Sequence, residues 1–367
     1  MVTDMTSPRI PWPTTRVSKA LGIRYPIIQG PFGGGLSSVE LAACVSNAGG
    51  LGSFGAHYLT PEDITTLVSD LRAATTQPFN VNLWVSTRDM PEAEMTRERF
   101  DAAVGAMRPI YLEAQVDPPT FPQRFSSDFE TQAEALIAAA PPVFSVVFGI
   151  PDSAILDACR ERGIRTIGTA TTPDEAVALD AAGIDLIVAS GFEAGGHRGA
   201  FLDSAEDSLV GTMALTRIAA SEVSTPVVAA GGIADAEGVV AALTLGAEGV
   251  QIGTAFLATE ESGAPPAHRA LLFGAQGRTT RLTRVYSGRL ARGIPNRLMD
   301  ELRGTDRVQP YPYQGYLLGP VTRAAREQGL SDLTSLWSGQ IAPMLHHRHA
   351  ADLFTALVKG TEEILGV

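Results

Sequence analysis

The stretch IDLIVASGFEAGGHRGAF, residues 184–201, joins two kinds of sequence. Its first part is a near-continuous apolar run of strand length, the pattern of a parallel strand covered on both faces. Its second part is a glycine-rich loop that carries His197 and Arg198. A parallel strand opening into such a loop is the unit of α/β folds whose ligands sit at the carboxyl ends of the strands. The number of such units decides which fold this is.

Seven further runs have the same character: YPIIQ (25–29), GLGSFG (50–55), FNVNLWV (79–85), VFSVVFG (143–149), RTIGTA (165–170), PVVAAGG (226–232) and GVQIGTAF (249–256). Helical stretches with start and stop chemistry separate most of them. Ser37 with Glu40 fits a capping box ahead of LAACVSNA, and Gly49 provides a left-handed stop. Thr172, Pro173 and Glu175 serve as cap, first-turn proline and reciprocal acceptor, with Gly183 closing that helix. Thr60–Pro61, Asp152 and Asp235 mark similar starts. Eight strands in alternation with helices favour an α/β fold of the closed (β/α)8, or TIM, type over a doubly wound open sheet.

The barrel is placed at residues 15–275. An insertion, 87–142, is too long for one crossover and contains VDPPTFPQRF and DFETQAEALIAAA. The tail, 276–367, is read as a helical cap packed on the barrel. Together with the insertion it is expected to supply an additional helical segment or small domain.

Composition narrows the partners. The chain of 367 residues carries 28 basic and 40 acidic side chains, a formal net charge of −12, with no basic stripe. That balance argues against nucleic acid and against anionic membrane surfaces. No run approaches the roughly 18 apolar residues of a membrane span. The opening residues MVTDMTSPRIPWP lack a basic region followed by an apolar core, so no secretory signal is expected. Cys44 and Cys159 lack metal-ligand spacing and read as buried thiols of a reducing compartment, which makes the expected location cytoplasmic. No metal site is indicated.

Glycine-rich and polar residues accumulate at the expected strand ends: QGPFGGG after the first, NVNLW in the third, GFEAGGHRG after the sixth, AAGGIAD after the seventh and QIGT in the eighth. Loops after strands seven and eight of such barrels often hold a phosphate on backbone N–H groups. A phosphate-bearing cofactor follows, and flavin mononucleotide (FMN) would fill such a mouth. Each element also has a bland reading. Gly231 and Gly232 could merely turn strand into helix. Gln251 and Asn82 could be core amides satisfied by backbone. A lone histidine such as His197 is more often held by backbone and otherwise idle. Its place at a strand's carboxyl end favours chemistry. The other histidines, at 57, 268, 346, 347 and 349, offer no comparable context, and HHRH reads as a solvated helix end.

The set of motifs resembles the nitronate monooxygenases. The likeness covers most of the chain: YPIIQGPFGGGLSSVELAACVSNAGGLGSFG, GFEAGGHRG, AAGGIAD, QIGTAF, and in the tail YSGRLARGIPN and LWSGQ. The resemblance implies a barrel with a small helical domain and non-covalent FMN. It implies that Gly30, Pro31, Phe32 and Asn82 contact the isoalloxazine ring and that Gly195 and Gly196 line the cofactor. Gly231, Gly232, Gln251, Ile252, Gly253 and Thr254 would hold the phosphate and ribityl chain. Ser190 takes a cofactor-side position where many members carry glutamine. His197 matches the catalytic histidine.

The implied reaction takes an alkyl nitronate of the propionate 3-nitronate type, with O2, to a carbonyl compound and nitrite without NAD(P)H. On this reading an imidazole of ordinary pKa, about 6.5, could also take a proton from a neutral nitroalkane. Arg198 is a candidate second cation, with an outward-facing position as the alternative, and Tyr311 and Tyr313 are candidate substrate contacts. A homodimer is compatible with this reading. Two departures touch the substrate side. Val147 stands where some members have a substrate-facing histidine, and the series Tyr311, Tyr313, Tyr316 lacks the lysine that follows in those members. The alternatives are an FMN-dependent NAD(P)H reductase of quinone or enoyl-thioester type, a non-catalytic flavin protein, and a barrel for a phosphorylated substrate.

Overall fold

A computed structural model describes residues 10–85 and 94–367. The start of the expected insertion, 87–93, lies outside the described residues. Eight parallel strands form one sheet: Ile27–Gln29, Gly52–Gly55, Phe79–Trp84, Val143–Val147, Arg165–Ala170, Leu186–Ser190, Val227–Ala230 and Gly249–Ile252. Each pairs with its neighbour in sequence, and the eighth pairs with the first through Ile27 opposite Val250. A parallel bridge between Ile28 and Leu51 joins the first strand to the second and closes the ring. This is the (β/α)8 barrel read from the sequence, with each strand run matched.

The barrel interior is layered. Val143, Ile167, Leu186 and Val228 pack with Val17 and Leu21 of helix Arg16–Leu21, which closes the amino-terminal end. Above this apolar plug the interior turns polar. Asn80 Nδ2 donates to Ser53 Oγ (3.2 Å) and Ser145 Oγ (2.9 Å), and Asn82 Nδ2 also reaches Ser145 Oγ at 2.9 Å. A polar layer facing the carboxyl ends costs desolvation that a purely structural core would avoid.

Helices follow the strands as expected, with three changes in capping detail, the first being that Asp152 precedes helix Ser153–Glu161 without a side-chain cap bond. Ser38, not Ser37, caps helix Val39–Asn47 by accepting from the Leu41 N–H. The Ser37 hydroxyl is used inside the first-strand loop, where it takes the Phe32 N–H at 3.0 Å and donates to the Phe32 carbonyl at 2.7 Å. Thr172 caps Pro173–Ala181 as read. Glu175 does not reach back to that cap. It is fully buried and accepts from Thr171 N–H and from the backbone of Phe201 and Leu202. Of the two thiols, Cys159 is buried and Cys44 half-buried.

The helix that completes the barrel's outer ring comes from the far end of the chain. Ala350–Leu365 packs between Val39–Asn47 and Ala236–Thr244, burying Leu353, Phe354, Leu357 and Val358 against Leu41, Val239 and Val250. Burial of each such side chain is worth about 1.5–3 kcal/mol before ordering costs.

The tail between barrel strand eight and that last helix joins part of the insertion to build a second core. Helix Arg97–Glu113 packs with Arg297–Leu302 and Tyr313–Glu327 around Phe100, Met107, Leu298, Leu317 and Val321. Tyr111 OH donates to the Leu317 carbonyl at 3.1 Å. Segments far apart in sequence thus form the small helical body. Helix Phe129–Ala139 belongs instead to the barrel core.

A three-stranded antiparallel sheet ties the two bodies together. Arg281–Thr283 pairs with Ala291–Gly293, which pairs with Gly196–His197 of the sixth-strand loop, Ala291 lying opposite His197. No helix among the described residues is long and apolar enough to cross a membrane.

Candidate active site

The loop 191–202 is pinned from several sides. Arg198 is buried, and its guanidinium donates to the carbonyls of Ser190 and Gly191, each at 2.7 Å. Glu175 holds the far end at Phe201 and Leu202. The Glu193 carboxylate accepts from the N–H of Thr212 (2.9 and 3.1 Å) and from its hydroxyl (2.9 Å). Arg292 Nε donates to the Phe192 carbonyl at 2.9 Å. These bonds remove the freedom expected of a glycine-rich loop and fix where His197 stands.

His197 meets an aromatic enclosure. Its ring centroid is 4.9 Å from Trp84, 5.2 Å from Trp337 and 6.2 Å from Phe148. Nε2 shares a 2.7 Å hydrogen bond with Ser287 Oγ. Trp84 ends the third strand, and Phe148 follows the fourth. The Arg289 guanidinium lies 3.6 Å from the Tyr311 ring centroid, 3.7 Å from Phe148 and 5.0 Å from Trp84. Burial first, and the charge of Arg289 second, push the His197 imidazole down to about 3. It is therefore neutral at physiological pH, and the residue as a whole is half-buried.

Glycines open the neighbouring space. Gly196 has φ +76° and a Cβ there would meet no atom within 4 Å. Gly232 has φ +70°, with Glu193 Cβ nearest at 3.6 Å. Gly195 is glycine for another reason: a Cβ would stand 2.5 Å from the Gly339 nitrogen. The Gly339 N–H donates to Thr254 Oγ1 at 2.8 Å, and Gly30 N–H donates to the Ile252 carbonyl at 2.8 Å. The loops after strands one, six and eight, and the LWSGQ segment, thus converge. Helix Thr254–Leu257 begins at Gly253 without a side-chain cap, so its first N–H groups remain for another acceptor.

The residues singled out from the sequence divide accordingly. His197, Asn82, Tyr311 and the glycines lie at the carboxyl-end rim. Asn82 is buried, and its amide nitrogen is bonded to Ser145. Arg198 is buried rather than outward-facing, and both terminal nitrogens of its guanidinium brace loop carbonyls. The cation beside His197 is Arg289. Tyr313 lies in the small helical body, where its hydroxyl accepts from the Met95 N–H at 3.1 Å, away from Trp84 and His197. Val147 fills the space under Gly199, whose Cβ would come within 2.5 Å of it.

His57 corrects the sequence reading. It stacks on Trp84, with centroids 3.6 Å apart and planes 8° apart. Its place two residues beyond the second strand is the signal that was available. Trp84 and Phe148 carried the same strand-end signal. Ser287, Arg289 and Trp337 lie in the tail motifs YSGRLARGIPN and LWSGQ, which carried the family resemblance but no place in the site, since tertiary folding alone returns the tail to the barrel mouth.

Known proteins match this arrangement over nearly the whole chain. The family model for nitronate monooxygenase matches residues 14–360. A nitronate monooxygenase of Pseudomonas aeruginosa is 40% identical over 358 residues, 96% of this chain and 100% of that protein. The crystal structure of nitroalkane oxidase from Streptomyces ansochromogenes superposes with a TM-score of 0.84 at 34% identity, covering 95% of this chain and 98% of that one. FabK from Thermotoga maritima superposes with a TM-score of 0.74 at 26% identity, covering 96% and 97%.

Proposed function

The chain belongs to the nitronate monooxygenase family and is an oxidoreductase; from that premise we propose that it oxidises small alkyl nitronates of the propionate 3-nitronate type with O2, giving a carbonyl compound and nitrite, without NAD(P)H. The observation that carries the reading is a neutral His197, held by Ser287 within an aromatic enclosure at the barrel mouth.

FMN fits the surroundings of that histidine. Gly196 and Gly232 leave room where side chains would intrude. Gly30, Pro31, Phe32, Asn82, Ser190 and Gly195 would face the ring, with Gly231, Gln251 and Ile252 along the chain. Gly232, Gly253 and Thr254 would present N–H groups to one phosphate. Glu193 already occupies the start of helix Thr212–Glu222, which leaves the uncapped Thr254–Leu257 start as the favoured anion position. When bound, the flavin supplies the electron acceptor and the point of contact with O2.

The protein's part is to receive and orient the substrate. Trp84, Phe148 and Trp337 exclude water from the face of His197, which strengthens polar contacts there. With its pKa near 3, His197 is a poor base for a neutral nitroalkane. The proton abstraction expected from an ordinary imidazole is therefore disfavoured, and the nitronate, already deprotonated, is the preferred form. Arrival of an anion beside His197 raises its proton affinity, and the neutral ring can donate an N–H hydrogen bond to a nitronate oxygen without giving up its proton.

The test is oxygen uptake and nitrite release by the FMN-loaded protein given propionate 3-nitronate and no NADH or NADPH. Uptake with stoichiometric nitrite supports the proposal. A bound flavin with no uptake, but with steady NAD(P)H oxidation and a quinone or enoyl-thioester acceptor, replaces it with the reductase reading.

A further inference from the structure

His57 stands on the rim beside the QGPFGGG loop. Its carbonyl accepts from Gln132 Nε2 at 3.1 Å, and the same amide donates to the Leu59 carbonyl at 2.7 Å, so the backbone there is fixed. The ring lies flat on Trp84 and tilts against Tyr58, with centroids 4.1 Å apart. Gly33 admits it: a Cβ at that position would stand 1.9 Å from His57 Cε1. The residue is 8% exposed, and neither Nδ1 nor Nε2 has a hydrogen-bond partner among the described residues.

That combination is expensive for a purely structural side chain. A neutral imidazole offers one donor and one acceptor, and leaving both unmet in a buried position costs stability that Phe would not. Packing alone cannot account for an imidazole here, since a phenyl ring stacks on indole equally well. A ligand that completes the hydrogen bonds does account for it. The same indole that His57 covers meets His197 edge-on, so the two imidazoles border one indole, and the ring edge that carries both orphaned nitrogens faces Gly33 of the QGPFGGG loop.

We propose that His57 is a second substrate-contacting imidazole, whose ring N–H donates a hydrogen bond to an oxygen of the planar nitronate group alongside His197. The inference rests on the nitronate reading and adds to it the residue that grips the N–O pair. No proton changes hands at His57; its contribution is binding and orientation, and it needs only the neutral ring.

His57→Phe keeps the stack on Trp84 and the fit over Gly33 while removing both nitrogens. Parent and variant, loaded with FMN, are titrated with nitrite, whose planar N–O pair resembles the substrate group, and binding is read from the visible flavin spectrum. KM and kcat for propionate 3-nitronate are measured alongside. The expected result is retained flavin, an unchanged or higher thermal midpoint, and nitrite Kd and nitronate KM both raised about five- to tenfold. His57→Gln, which restores an N–H donor, recovers most of the affinity. Unchanged nitrite affinity and unchanged KM in His57→Phe overturn the proposal. If the Phe variant loses its flavin, His57→Gln decides: near-parental affinity supports the contact, and a tenfold loss with flavin bound overturns it. A parent that binds nitrite but oxidises no nitronate removes the nitronate reading, while the titration still judges His57.

Discussion

Nε2 of His197 stands 2.7 Å from Oγ of Ser287, ninety positions away in the chain. The contact joins a barrel loop to the tail segment that follows barrel strand eight. It fixes the ring orientation of His197 at the barrel mouth. Orientation of this kind separates a positioned imidazole from one free to rotate. Ser287→Ala is expected to keep its flavin and to lower kcat for propionate 3-nitronate about tenfold. His197→Asn is expected to lower it about a hundredfold or more. Steady-state oxygen uptake checks both, and a parental kcat in His197→Asn would remove that residue from the mechanism.

The acid side of the stability profile follows from three histidines. His57, His197 and His268 all have folded-state pKa values below the ordinary imidazole value, each through burial first, His197 to about 3 and His268 to about 4. The unfolded chain binds protons below about pH 6.5, where the folded chain does not. The stability these neutral rings contribute is thus complete above about pH 6.5 and is lost as pH falls towards 3–4. The thermal midpoint should drop steadily between pH 7 and pH 5, and His57→Phe should make that slope shallower. A midpoint flat across this interval contradicts the assignment of neutral buried rings.

Gly196 offers a direct probe of the cofactor cradle. At φ +76° an Ala costs about 1 kcal/mol of strain, but its Cβ meets no protein atom. Gly196→Ala should therefore fold, with a thermal midpoint only a few degrees lower. Its FMN dissociation constant should rise at least tenfold, as read by fluorescence of released flavin. Parental FMN affinity in a folded variant would place the flavin elsewhere.

Arg198 is the contrasting case. Its buried guanidinium braces two carbonyls at the end of the sixth strand, and burial, followed by the charge of Arg292, lowers it to about 10. Arg198→Met leaves those carbonyls without donors and should cost about 2–4 kcal/mol of stability by chemical denaturation. Any fall in activity should follow loss of folded, flavin-bound enzyme. A variant of parental stability whose KM alone rises would restore Arg198 as a substrate cation.

The barrel was legible because its signals are local. A run such as IDLIVAS has the pattern of a strand covered on both faces, as the strands of a parallel sheet are, and Thr172–Pro173 or Asp235 starts a helix through its nearest neighbours. His197 was legible for a related reason: strand direction fixes which end of a parallel barrel carries chemistry. Tertiary structure decided what depends on distant segments meeting. It aimed Arg198 at its own loop's carbonyls, and it sent Tyr313 into a second core built from residues some two hundred positions apart. It brought Ser287 and Arg289 to His197, gave the barrel its last helix from residues 350–365, and laid His57 on Trp84. Hydrophobic patterning records how much of a side chain is buried, not against which partner, so the sequence determined the scaffold and its reactive rim, while the company kept at that rim was settled only by the fold.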